Sequence, residues 1–168
     1  MVADFQTILN ELLNSKEFKE FNKKNNSYYL AHGFVQLNKD LTEKSSWQIG
    51  FYSKEKDNLA VFETKPIKLI DFEEAFKKEG HIDKLNLTPD FKTTKQILTL
   101  LKEHITKKYS SQSPNSYLMI VQVIDGKEVY NVTTITEAFS MINTRFDAKT
   151  GEIVLDEIRS ILDLRNGN

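Results

Sequence analysis

The side chains able to do chemistry are few in this chain, and their spacing gives them little to do together. His32, His81 and His104 stand far apart, with no His-x-x-x-His pair and no acidic cluster beside them. A zinc-type site needs several such ligands at helix or loop spacing, so no metal is expected. Cysteine is absent, which removes thiol nucleophiles, thiolate metal sites and disulfides. Glycine occurs 6 times and is scattered, so no glycine-rich loop cradles a phosphate. Neither a nucleophile elbow nor a Ser/His/Asp grouping is visible. Glu73 and Glu74 could act as an acid/base pair, but they fall in the first turn of an expected helix, where the helix dipole accounts for them. No cofactor is expected. Tyr28, Tyr29, Trp47 and Tyr52 carry large faces with polar tips, and they are candidates for lining a binding groove.

The elements that must position these residues follow from periodicity. Asp4 is a helix N-cap, and Phe5, Ile8, Leu9, Leu12 and Leu13 then mark one helical face. Asn14-Ser15 interrupts or re-caps that helix, and Phe18 and Phe21 extend the stripe to the basic end at Lys23-Lys24. Residues 28–37 are apolar on both alternating sets, as in a strand buried on both sides. Trp47, Ile49 and Phe51 alternate with Gln48, Gly50 and Tyr52, and 59–63 returns as the hairpin partner. Pro66 restricts further pairing to an edge or a bulge. Asp71-Phe72-Glu73-Glu74, with Lys77-Lys78 and Gly80 beyond, predicts a short helix. Thr93 and Gln96 form a capping-box pattern ahead of Ile97, Leu98, Leu101 and Ile105. Residues 116–124, Asp125-Gly126 and 128–136 predict a hairpin. A strand over 139–146, a turn at 147–151 and a strand at 152–155 follow. Ile158, Ile161 and Leu162 leave the tail open between helix and strand.

The halves repeat. Ile8-Leu9 and Ile97-Leu98 lie 89 residues apart, as do Asn26-Ser27-Tyr28 and Asn115-Ser116-Tyr117. The expected fold is α+β, two helix-plus-antiparallel-sheet units in tandem, spanning 1–88 and 89–168. In each unit the helix buries its stripe on one sheet face. The first strand of each is apolar on its other face too, and that face needs a cover. Two sheets packed against each other within the chain are the expected solution, with a homodimer or a ligand as the other ways to cover it.

The segment Phe146-Asp-Ala-Lys-Thr-Gly-Glu-Ile-Val154 resembles the PepSY-like family and its wider cystatin-like relatives, in which an Asp-Ala-x-Thr-Gly turn joins two strands. The match covers Arg145 to Leu155, and the remainder of the second unit matches only in element order. In the first unit the corresponding turn, 53–58, lacks the Asp-Ala and the Gly. The resemblance implies a small non-catalytic module, often periplasmic, extracellular or membrane-tethered, that restrains peptidases. Gln122-Val-Ile-Asp-Gly126 is similar to the cystatin Q-x-V-x-G hairpin loop, with Ile124 in the valine position. That likeness implies an inhibitory contact with papain-like proteases through Gln122, Ile124 and Gly126, although the Pro-Trp loop of cystatins has no counterpart here. An Asp-Gly hairpin turn by itself also explains the dipeptide.

Charge and length narrow the classes further. With 168 residues the chain can bury a core unaided. Lys+Arg 23 balances Asp+Glu 24, and neither half is basic, so a general nucleic-acid binder is not expected. No apolar run is long enough to span a bilayer as a helix, and the N-terminus lacks the pattern of a signal peptide. A cytoplasmic location is the default, with export the alternative if a leader has been trimmed. The expected function is a binding or inhibitory module that holds a peptide or protein partner, a peptidase among the candidates, through a sheet face or an inter-unit groove. The alternatives are a cystatin-type protease inhibitor and a small enzyme of cystatin-like fold with a pocket near His32 or Tyr28.

Overall fold

The computed structural model describes residues 2–74 and 82–162. Helix α1 (Phe5–Leu13) buries Phe5, Ile8, Leu9 and Leu12, while Leu13 at the margin of the stripe is exposed. Ser15 ends it and begins the next: its hydroxyl donates to the Leu12 carbonyl and accepts from the Phe18 N–H. Helix α2 (Lys16–Lys24) then turns Phe18 and Phe21 onto Phe51, Phe62 and Tyr28, with ring centroids 4.9 Å apart for Phe18 and Phe51. Strands β1 (Tyr28–Asn38), β2 (Gln48–Ser53), β3 (Asn58–Thr64) and β4 (Ile67–Glu74) follow as a meander. Helix α3 (Thr94–Lys108) starts with the capping box, Thr93 Oγ1 accepting from the Gln96 N–H and Gln96 Oε1 from the Thr93 N–H. Strands β5 (Pro114–Ile124), β6 (Lys127–Thr136), β7 (Ser140–Asp147) and β8 (Ile153–Ser160) complete the chain.

All eight strands form one antiparallel sheet in the order β4-β3-β2-β1-β5-β6-β7-β8. This corrects the expectation of two sheets packed face to face. The seam is edge to edge, β1 against β5, from His32 opposite Gln122 to Asn38 opposite Ser116. Pairing at an edge satisfies backbone donors and acceptors that face-to-face packing would leave bare. A single core cluster holds side chains from α1, α2 and α3 together with Val35, Leu37, Ile49, Phe51, Phe62, Met119, Val121, Tyr130, Val132, Ile142 and Phe146. The three helices therefore cover the same face.

Residues 71–74 are strand, not the start of a helix. They pair with 58–61 of β3, and the Phe72 ring meets Tyr28 and Phe21 at 6.1 and 6.3 Å. A free sheet edge and an aromatic contact outweigh a local capping pattern, because capping contributes only about 1 kcal/mol. The remainder of that expected helix, with Lys77, Lys78, Gly80 and His81, lies outside the described residues. Pro66 does mark the entry to an edge strand. The tail resolves as strand to Ser160. Both outermost pairings carry a register shift, at Val61/Phe62 between β3 and β4 and at Arg145/Phe146 between β7 and β8.

The connection from β4 to α3 passes the seam. A bulge interrupts the β1–β2 ladder between Leu30 and His32, the pairing of β1 with β5 begins only at His32, and the Leu30 carbonyl accepts from the Leu85 N–H at 2.9 Å. Ile82 packs with Tyr29, Ala31, Tyr52, Leu59 and Val61, whereas Leu85 belongs to the helix-side core. Alternation along β1 and β2 puts those two clusters on opposite faces, so the described part of the connection, from Ile82, passes from one face to the other where β1 no longer pairs with β5.

The two leading helices are tied at their starts. The Phe5 N–H donates to Thr94 Oγ1 at 3.0 Å, and the Thr94 N–H donates to Asp4 Oδ1 at 2.8 Å. Each helix thus satisfies one free N–H with a side chain of the other. Asp4→Ala and Thr94→Ala should each lower unfolding free energy by about 1–2 kcal/mol. In urea titrations the double variant should lose less than the sum by about 0.5 kcal/mol or more; strict additivity would show that the helix ends are held independently.

Candidate functional site

Residues directly opposite in an antiparallel ladder share a face, so the register draws the side of the sheet away from the helices. One row runs Gln48, Phe34, Ile120, Asn131, Arg145, Leu155. The next runs Gln36, Leu118, Thr133, Asn143, Glu157, and a third Asn38, Ser116, Ile135, Met141, Arg159. On the other side of the first lies Gly50, His32, Gln122, Val129, Asp147. Phe34, Leu118, Ile120, Ile135 and Met141 are half-buried, as are Asn131, Asn143 and Arg145. Among the described residues Ile82 packs over the Tyr29–Tyr52 corner, and no helix or second sheet lies over the rows from β1 to β8.

This face contains polar groups that are not satisfied. Asn131 Oδ1, Asn143 Oδ1 and Arg145 Nε are shielded from solvent without a hydrogen-bond partner. Arg145 makes no ion pair among the described residues, while Glu157, diagonal to it across β7 and β8, pairs with Arg159 at 3.6 Å. The His32 ring lies against Gly50, where an added Cβ would come within 2.1 Å of the imidazole. Burial there lowers the His32 pKa to about 4 by disfavouring the charged ring.

The residues singled out from sequence are divided between the two faces. Tyr28 and Trp47 lie in the helix-side core: Trp47 is fully buried and its Nε1 donates to the Ala3 carbonyl at 3.1 Å, and the Tyr28 hydroxyl donates to Asn58. Tyr29 and Tyr52 are on the opposite side, bonded to the Ile82 carbonyl and to Asp57 Oδ1. These four aromatic residues do not converge on one groove. Gln122 is on the face away from the helices, opposite His32, and Ile124 is two residues along the same strand. Asp125 and Gly126 have φ 51 and 76, the mirror-image turn expected of that dipeptide. Gly126 is exposed with open space around it. Asn131, Asn143 and Arg145 were not singled out; their signal was polar residues alternating with a buried set, which also describes any solvated strand.

Two other places have chemical character. A cleft of about 360 Å3 lies between the end of α3 and the loop after β1, lined by Leu41, Ile105, Tyr109, Tyr117 and Lys102 among others. Elsewhere His104 Nε2 and Lys108 Nζ approach Asp156 Oδ2 at 3.1 and 2.5 Å. Burial raises the Asp156 pKa, but hydrogen bonds from Lys108, His104 and Tyr109 outweigh it and hold the carboxyl below its ordinary range. Neither His104 nor Asp156 lines the cleft. These contacts fasten edge strand β8 to α3.

Fold and site together define an α+β protein with one eight-stranded antiparallel sheet, helices on one face and a mixed apolar and polar surface on the other. A "putative lipoprotein" from Clostridium difficile 630 has a similar structure, with TM-score 0.53 and 9% sequence identity over 84% of this chain and 89% of that one. At that identity the likeness shows the fold alone. No family model matches the chain, and no curated protein matches it. No helix among the described residues is long and apolar enough to cross a membrane.

The lowered His32 pKa has a sign that can be measured. Between pH 6.5 and about 4 the unfolded chain binds a proton that the folded chain refuses, so this contribution is complete above pH 6.5 and declines as pH falls toward 4. His32→Gln should flatten the fall in urea midpoint across that window relative to the parent chain. An unchanged slope would show that His32 is not the group responsible.

Proposed function

We propose that the chain is a non-catalytic binding module that holds a peptide or protein partner on the sheet face away from its helices. The observation that carries this reading is the set of half-buried Phe34, Leu118, Ile120, Ile135 and Met141 on adjacent strands, with no covering element among the described residues. Contiguous apolar surface mixed with polar groups is the composition of interaction sites. Rigid strands also present it without the ordering cost of a loop. The PepSY-like segment from Arg145 to Leu155 supports the same class of role. The inference includes a duplication origin for the two halves: Phe5 and Thr94, whose N–H and hydroxyl bond to each other, are separated by the same 89 positions as the sequence repeat. Units 1–88 and 89–168 would then share the sheet through β1 and β5.

The Gln122–Gly126 hairpin favours a narrower form of this reading, inhibition of a papain-like protease, because Gly126 stands in open space at the end of two strands. Papain activity unchanged at high concentrations of the chain would dispose of that form. For the broader reading, peptides selected on an immobilised array should lose at least about tenfold in affinity when Ile120 is replaced by Lys. They should be unaffected by Lys16→Glu on α2. Failure to find any binder, or equal sensitivity to the two variants, counts against the face.

A further inference from the structure

We infer that Arg145 is the specificity point of this face, and that it receives the side-chain carboxylate of an acidic residue within an otherwise apolar, extended peptide. The inference rests on the binding-face reading and deepens it. Arg145 lies on β7 with Asn131 directly opposite and Asn143 two residues before it. Its Nε and both amide oxygens are shut off from water with no partner, and the acidic residues of the neighbouring rows are engaged elsewhere, Asp147 accepting from the Lys149 and Thr150 N–H groups and Glu157 pairing with Arg159. A guanidinium partly withdrawn from water with neither counter-ion nor hydrogen bond among the described residues is electrostatically incomplete. A carboxylate supplies both the charge and the acceptor atoms that its planar donor array fits.

Apolar neighbours fix the kind of peptide. Along the Arg145 row, Ile120 and Phe34 lie on one side beyond Asn131, and Leu155 lies on the other. With strands about 4.8 Å apart, β1 to β8 spans about 19 Å, the length of roughly six extended residues. Because apolar positions lie on both sides of the arginine, the chain continues past it in both directions. That selects an internal Asp or Glu over a terminal carboxylate.

The test uses acetylated, amidated hexapeptides of apolar residues carrying one internal Glu, their Glu→Gln counterparts, and a version whose only carboxylate is its free C-terminus. Binding to the full chain is followed by fluorescence anisotropy. The internal-Glu peptide should bind at least about tenfold tighter than the other two. That preference should weaken as salt is raised, vanish in Arg145→Gln, and be partly retained in Arg145→Lys, with circular dichroism confirming that each variant is folded. Equal binding of the Glu and Gln peptides, or a preference that survives Arg145→Gln, overturns the inference. If Glu and Gln peptides bind equally but both are lost in Ile120→Lys, the face stands and only the Arg145 assignment falls. No binding by any peptide removes the face as well. Preference for the free C-terminus, or a dimer in sedimentation that Arg145→Gln dissociates, would replace the proposed occupant with a chain end or a second copy.

Discussion

The tie between Asp4, Phe5 and Thr94 is the interaction on which the arrangement depends. A helix start needs acceptors for its free N–H groups, and here two helices supply them to each other through a buried threonine hydroxyl and one carboxylate. Helices joined at their first turns must lie on the same side of whatever they cover. That side is the sheet face holding Val35, Met119, Tyr130 and Phe146. The hydroxyl of Tyr130 bonds to the Lys92 carbonyl just before the start of α3, and burial together with the nearby Asp4 carboxylate raises its pKa well above that of an ordinary tyrosine, so the phenol stays protonated.

Among the described residues, the helices α1, α2 and α3 share one face, and no helix covers the rows from β1 to β8 on the other. Its chemistry is neither that of a core nor that of an ordinary solvated surface. An ordinary exposed sheet face alternates charged and small polar residues against a buried set. This one places phenylalanine, isoleucine, leucine and methionine among amides and an arginine that has no ion pair among the described residues. Mixed surfaces of that kind suit a partner that is bound and released, since the polar groups lose less on exposure than a purely apolar patch would.

Much of this was legible in the residues. Both leading helices, the Ser15 re-cap, the Thr93 capping box and the Asp125-Gly126 turn follow from local chemistry, and the structure realises each at the expected place. Edge strand β4 was misread because Asp71 and Glu74 imitate a helix start, and only the presence of β3 alongside decides otherwise. The layout of the sheet was out of reach for a related reason. Doubly apolar first strands say that both of their faces are partly buried, but not whether each strand meets its counterpart flank to flank or across a core. Arg145 was unremarkable for the same cause, since a missing partner is visible only once the neighbours on three adjoining strands are known.

The register shifts in the two outermost pairings bear on how a sheet with two free margins stays discrete. Strands β4 and β8 each expose hydrophobic side chains, including Ile70 and Phe72 on one and Val154 and Ile158 on the other. Flat margins of that composition would template copy-upon-copy growth into fibrils. An extra residue in the ladder next to each margin increases its local twist, and Lys68, Glu157 and Arg159 place charge along it. The irregularities at Val61/Phe62 and Arg145/Phe146 thus work against endless lateral polymerisation.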